Sequence, residues 1–258
     1  MCYNVNRIYA MEGEILVIAL EVTHLQKSYG KKTAVQDVSF TIGEGEIFGL
    51  MGMNGAGKTT ILRMLATLLR PDGGDALIAG NSIVKAPDKV RQCISYLPDE
   101  AGAYRTMTGQ HYLEFIAGLY FKDEGEQEEC VKRGEEICGL GDVLHQKIQS
   151  YSRGMTRKLV LARTVMTRPR LAILDEPTSG LDVLNSLDIR KTIRKCAEEY
   201  GTAFLLSSHH MQEVHTTADR GAIMKDGRFL AEGTIDEILV KYGTHDLETA
   251  FEKAVRDE

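Results

Sequence analysis

The eight residues Gly52-Met53-Asn54-Gly55-Ala56-Gly57-Lys58-Thr59 follow the pattern G-x-x-x-x-G-K-[ST]. A nucleotide polyphosphate needs that spacing. The glycines let successive backbone N–H groups curl around a phosphate with no side chain in the way. A helix starting near Lys58 would add its positive dipole end. Lys58 would then reach the β- and γ-phosphates, and the Thr59 hydroxyl would ligate Mg²⁺. A second group is Leu171-Ala172-Ile173-Leu174-Asp175-Glu176, an apolar run ending in two carboxylates. Asp175 is placed to hold the metal through water, and Glu176 to orient or deprotonate an attacking water. A third is Ser207-Ser208-His209-His210, where a histidine can donate to a γ-phosphate oxygen. Taken singly, these read as a glycine-rich turn, two solvated acids and two surface histidines. Together they read as one site.

Such a site requires strands that end at one edge of a sheet. From Leu20 onward, short apolar runs alternate with helical stretches, which is the signature of an α/β protein. Val38, Phe40 and Ile42 alternate with polar residues, and the Gly43-Glu44-Gly45 turn leads into Ile47–Met51. Further strands are predicted at 76–79, 94–97, 171–174 and 203–206; most lack alternation, as strands covered on both faces do. Asp226-Gly227 between two apolar runs predicts a hairpin. Ile61, Leu62, Leu65, Leu68 and Leu69 are expected to pack the helix after the phosphate loop onto the sheet, with Pro71 marking its end. The stretch from about Thr106 to Met166 has helical spacing instead. Tyr112, Phe115, Ile116 and Leu119 are expected to share one helical face there, and Leu159, Ala162, Val165 and Met166 another. The acid-rich segment 122–129 reads as a solvated helix start.

Composition narrows the function classes. The chain has 258 residues, 43% apolar and 26% charged, enough for one sizeable core. Its longest early apolar run, Ile15–Leu20, falls far short of the ~20 residues of a membrane-spanning helix. Glu12 and Glu14 stand where a secretory signal would be apolar. A soluble, cytoplasmic protein is expected. Thirty-one basic against 37 acidic residues, a net charge of −6, argues against nucleic acid as a partner. Five widely spaced cysteines with no C-x-x-C pair read as reduced packing residues.

Further features follow the two nucleotide motifs in order. Tyr151-Ser152-Arg153-Gly154-Met155, Ser179-Gly180-Leu181-Asp182, His209 and the earlier Tyr29 complete a set that resembles the ATP-binding subunit of ATP-binding-cassette (ABC) transporters, over about residues 20–239. Residues 151–155 lie where that family carries a Leu-Ser-Gly-Gly-Gln signature. Residues 179–182 resemble its D-loop, His209 its switch histidine, and Tyr29 the aromatic that stacks on adenine. The resemblance implies a P-loop NTPase core with a mostly parallel sheet, an antiparallel β subdomain and an inserted helical subdomain at about 100–166. It implies an N-terminal extension at 1–18, the ATPase domain at 19–240 and a short tail at 241–258. ATP and Mg²⁺ are the implied cofactors. Catalysis would fall to Lys58, Glu176 and His209. Nucleotide contacts would come from Tyr29, Gly52, Asn54, Gly55, Ala56, Gly57, Lys58, Thr59 and Thr60. Ser152, Gly154 and Asp182 would act on the nucleotide of a second subunit facing head to tail. Metal contacts would come from Thr59, Asp175 and Asp99.

Two departures from the family pattern stand out. Tyr151, Arg153 and Met155 replace leucine, glycine and glutamine, while Ser152 and Gly154, which supply the phosphate donors, remain. Arg153 would add charge near the nucleotide. Asp99, in Tyr96-Leu97-Pro98-Asp99-Glu100, stands where a glutamine normally contacts Mg²⁺ and water.

The function implied is an ATP-hydrolysing subunit that powers transport through a separate membrane permease, as a homodimer or paired with a related ATPase subunit, peripheral at the cytoplasmic face. The signature variant and short tail resemble exporters more than importers. The alternative is an ABC ATPase uncoupled from transport, such as an iron–sulfur assembly ATPase. Tandem translation factors are disfavoured by the single phosphate loop, and coiled-coil repair ATPases because Lys58 and Ser152 are only 94 residues apart. A GTPase is disfavoured because no Asn-Lys-x-Asp occurs.

Overall fold

Alternating residues build the first sheet. The computed structural model describes residues 8–11 and 14–256. β1 (Ile8–Met11) pairs antiparallel with the start of β2 (Glu14–Tyr29), which then pairs antiparallel with β3 (Lys32–Gly43). Val38, Phe40 and Ile42 of β3 face the core, as a period of two requires. β4 (Ile47–Met51) follows, buried throughout, and then α1 (Lys58–Leu65). β5 (Gly73–Ile78) and β6 (Asn81–Ser82) return to the first sheet, β5 against β2 and β6 against β5. Next come α2 (Pro87–Arg91) and β7 (Ile94–Leu97).

The helical insert holds α3 (Gly109–Tyr120), α4 (Glu124–Cys138) and α5 (Arg153–Val165). The chain then alternates through β8 (Leu171–Asp175), α6 (Val183–Tyr200), β9 (Ala203–Ser208), α7 (Met211–Thr217), β10 (Arg220–Lys225) and β11 (Arg228–Thr234). The second sheet has the order β11-β10-β4-β9-β8-β7, parallel except for the β10–β11 hairpin. Asp226 and Gly227 turn that hairpin with φ of 46° and 83°, the left-handed pair that such a turn needs. Every residue of β4, β8 and β9 is buried, which explains why their sequences do not alternate. Apolar clusters cover both faces of this sheet, and a third fills the helical insert.

One expectation needs correction, and three segments take a more definite form. α1 ends at Leu65, because Thr67 turns the chain at φ 59°, and Leu68 is exposed rather than packed. On α3, Tyr112, Leu113 and Ala117 are buried, whereas Phe115 and Leu119 are 41% and 66% exposed. The reason is α4. Its Gly134 comes so close to Leu113 that an added Cβ would sit 3.3 Å from that side chain, which draws the Leu113 side inward. On α5, Leu159, Ala162, Val165 and Met166 are all buried. Near the N-terminus, pairing already begins within the segment read as an extension, at Ile8↔Val17; residues 1–7, 12 and 13 lie outside the described residues. The expected tail is largely helical. After α8 (Ile235–Lys241), α9 (Leu247–Arg256) buries Leu247, Ala250 and Ala254, and its Val255 carbonyl accepts from Lys225 Nζ at 3.1 Å.

Cys93, Cys130, Cys138 and Cys196 are free and at most 2% exposed; Cys2 lies outside the described residues. Burial pushes the Cys196 thiol up to about 12 and raises those of Cys130 and Cys138. The reactive species is the thiolate. In a Cys2→Ser variant at pH 8, an aromatic disulfide reagent is expected to leave all four thiols unreacted over minutes, and to titrate four in denaturant. Rapid labelling of any one in the native protein would contradict the packing.

Candidate active site

The parallel register sets three strand ends at one level, with Asp175 opposite Ser207 and Met51 opposite Ser208. From β4, the chain curls into the phosphate loop. Gly55 and Gly57 take φ of 85° and 113°, and a Cβ on Gly57 would lie 2.3 Å from the Ala34 carbonyl oxygen, so only glycine fits there. Lys58 opens α1 and is 6% exposed. Its Nζ donates to the Gly52 carbonyl at 2.6 Å and stands 3.8 Å from Glu176 Oε1. Burial lowers its pKa, opposed by the nearby Glu176 and Asp175 carboxylates.

Asp175 closes β8 and is 4% exposed. Its Oδ1 accepts from Ser207 Oγ at 2.6 Å and from Thr59 Oγ1 at 3.4 Å. Glu176 adopts φ 47°, an unusual backbone for a residue with a side chain. Its N–H reaches Ser207 Oγ at 3.1 Å, and its Oε2 lies 2.9 Å from His209 Nδ1. Glu176 thus sits between Lys58 on one oxygen and His209 on the other.

These residues open on a cleft of about 310 Å³ whose walls include Tyr29, Asn54, Gly55, Gly57, Lys58, Thr59, Thr60, Asp99, Asp175 and Glu176. Gly52 lies beneath Lys58, and Ala56 turns into the core below the loop. Thr59, Asp175 and Asp99 present hard oxygens to one space, a donor set that suits Mg²⁺ held jointly with phosphate oxygens. Among the described residues, no cluster of three or more His, Cys, Asp or Glu could hold a metal by itself.

The remaining predicted residues gather elsewhere. Ser152 caps α5, accepting from the Met155 N–H at 3.2 Å. Gly154 has no room for a Cβ, which would meet the Asn185 side chain at 2.4 Å. Asn185 in turn donates its N–H and its Nδ2 to the Asp182 carboxylate, at 2.9 and 2.6 Å. Those hydrogen bonds hold the Asp182 pKa below its ordinary value, the Asn185 N–H first. Neither Ser152, Gly154 nor Asp182 lines the cleft beside the phosphate loop. Arg153 donates to the Ser179 carbonyl at 3.1 Å and lies against Gly180. Tyr151 packs at Gly109 and donates to the Val143 carbonyl at 2.8 Å, tying the start of α5 to the earlier part of the helical insert.

Sequence reasoning missed two side chains. Glu213 of α7 accepts from Thr178 and, at 3.4 Å, from Ser208. Arg157, 7% exposed, donates to the carbonyls of Asp99, Glu176 and Pro177. Its signal was a charge sharing the buried face of α5 with Val160, Leu161 and Thr164 at helical spacing.

A phosphate loop and acidic strand end at the carboxyl edge of a parallel sheet define a P-loop ATPase, here carrying a helical insert and a second, antiparallel sheet. The family model described as ABC transporter matches residues 35–179, more than half of the chain. The chain belongs to that family, as an ATP-binding subunit that hydrolyses ATP. A linearmycin resistance ATP-binding protein of Bacillus subtilis (strain 168) is 35% identical over 224 residues, 87% of this chain and 72% of that one. A daunorubicin/doxorubicin resistance ATP-binding protein of Streptomyces peucetius is 36% identical over 227 residues, 88% and 68% of the two chains. A solved ATP-binding subunit of an ABC transporter superposes with a TM-score of 0.81 at 28% identity, covering 92% of this chain and 99% of that one.

The Ser207 hydroxyl donates to the Asp175 carboxylate, one of the three groups predicted from sequence to hold the metal. Ser207→Ala is expected to raise the Mg²⁺ concentration for half-maximal ATPase activity by about 10–100-fold. A Mg²⁺ titration at fixed ATP reads this out, and an unshifted midpoint would detach Ser207 from the metal.

Proposed function

We propose that this subunit binds and hydrolyses ATP to drive export through a separate, membrane-spanning permease at the cytoplasmic face. Among the described residues no helix is long and apolar enough to cross a membrane. The observation that carries the reading is the outer face of the helical insert. Tyr104, Phe115, Leu119 and Tyr120 are all exposed there, and the Tyr104 ring meets Phe115 edge-on at 5.8 Å. Exposed apolar side chains grouped in this way mark an interaction surface, and the Tyr151 hydroxyl, at the head of α5, donates to Val143 within the same insert. Export is supported by the relatives named for resistance to linearmycin and to daunorubicin and doxorubicin.

In this reading, ATP enters the cleft with adenine on the Tyr29 ring. The amides of the phosphate loop and Lys58 take the β- and γ-phosphates. Glu176 orients the attacking water, and His209, resting on Glu176 Oε2, presents its other nitrogen to the γ-phosphate. Thr59, Asp175 and Asp99 would hold Mg²⁺, which when bound neutralises charge on the phosphates. Ser152 and the Gly154 N–H form a helix start outside this cleft, an anion-binding end that fits the nucleotide of a second subunit, identical or related. Asp182 stands beside it at the start of α6.

Two experiments test the proposal. Glu176→Gln is expected to cut ATPase activity by at least about 10²-fold and to accumulate an ATP-bound dimer by light scattering; a monomer at saturating Mg·ATP would remove the two-subunit site. A tagged subunit recovered from detergent-solubilised membranes of its host should carry a stoichiometric polytopic chain, identified by mass spectrometry. The variant Phe115→Glu/Leu119→Glu should lose that chain. Only soluble partners, with ATPase activity intact, would point to a role uncoupled from transport.

A further inference from the structure

The carbonyls of Asp175, Glu176 and Pro177 are consecutive, yet all three face one guanidinium. Arg157 donates from Nε to Pro177 at 2.7 Å, and from Nη2 to Glu176 at 2.7 Å and Asp175 at 3.3 Å. Its Nη1 reaches the Asp99 carbonyl at 3.0 Å and that of Pro98 at 3.4 Å. Successive carbonyls converge only where the chain curls, and the curl here is Glu176 at φ 47°. A non-glycine residue keeps such a backbone only when its surroundings over-determine it. Ser207 holds the N–H of Glu176, and Arg157 holds its carbonyl. All the acceptors bonded to Arg157 are backbone oxygens, and burial lowers its pKa. A buried charge solvated by neutral carbonyls is an expensive way to support a loop, and α5 supplies it from one turn past Ser152.

We propose that Arg157 is a positioning residue for hydrolysis. It holds the Glu176 carboxylate in place and binds the segments at Asp99 and Glu176 rigidly to the helix that Ser152 caps. A shift of α5, whose head meets the second nucleotide, therefore moves the water-orienting carboxylate and the Asp99 segment of its own subunit. The inference rests on Glu176 as the residue that orients water. Glu176→Gln alone tests that reading, which fails if activity persists in it, whatever Arg157 does.

The test uses Arg157→Met and Arg157→Lys in the full chain, with folding followed by circular dichroism and ATP affinity by a fluorescent ATP analogue. Affinity is expected to stay within about twofold, because the phosphate loop is untouched, while kcat falls at least about tenfold. Lysine cannot bridge two segments with five acceptors, so it should restore little. Added to Glu176→Gln, Arg157→Met should cost less than about twofold more in single-turnover hydrolysis, because both changes act through one carboxylate. Unchanged kcat, a loss carried by KM, or full additivity with Glu176→Gln would overturn the proposal. If neither variant folds, Arg157 belongs to the fold rather than to the site, and the proposal falls as well.

Discussion

One carboxylate oxygen organises the site. Asp175 Oδ1 accepts from Ser207 at the end of β9 and from Thr59 in the first turn of α1. Three consecutive positions across the sheet, β4, β9 and β8, are thereby joined at their carboxyl ends. The parallel ladder makes this possible, since it sets Asp175 and Ser207 level without any adjustment of the loops. The loops can then be as irregular as chemistry needs. Glu176 occupies a left-handed backbone, and Gly57 passes against the Ala34 carbonyl, above strands that are buried on both faces.

Much of this was legible in the residues. The phosphate loop, the acidic strand end and the histidines are local motifs, and each fell at the strand end where it was expected. The strands were legible for the same reason, because a run such as Leu171–Leu174 has only one stable place, inside a sheet. What local pattern could not supply was direction in a crowded environment. The face of α3 follows from where α4 comes closest, at Gly134 and Leu113, and no periodicity within α3 records that. Leu68 misled because its spacing continues the helix, while the left-handed Thr67 has already ended it. Arg157 escaped because its acceptors are backbone oxygens far away in sequence. A charge at a core position was the one trace of them.

The altered signature makes sense within a single chain. Tyr151 and Arg153 both have partners that leucine and glycine could not engage. The tyrosine hydroxyl reaches the helical insert at Val143, and the Arg153 guanidinium reaches the loop at Ser179. The head of α5 is therefore braced from two sides, while Ser152 and Gly154 are unchanged between them. Gly154 is also held by packing, since Asn185 occupies the space a Cβ would need. Asn185 is itself bonded to Asp182, so the starts of α5 and α6 form one unit.

Charge balance explains why such a site needs more than its own residues. Lys58 and Lys32 both line the cleft, and two carboxylates, Asp175 and Glu176, already oppose Lys58 at close range. Arg157 lies behind them and directs its donors to carbonyls rather than to the open space. A triphosphate brings several negative charges into that setting, which already holds the Asp99, Asp175 and Glu176 carboxylates against two lysines and one helix dipole. Two further sources of positive potential are available in the proposed arrangement, a divalent cation at Thr59 and Asp175 and the helix end at Ser152 of a second subunit. Asp99 sharpens the requirement. A glutamine in its place would face a phosphate without repulsion, whereas the Asp99 carboxylate on the same cleft tolerates one only with a cation between them. In this chain, dependence on the metal is therefore expected to be stricter than in relatives that carry glutamine at this position.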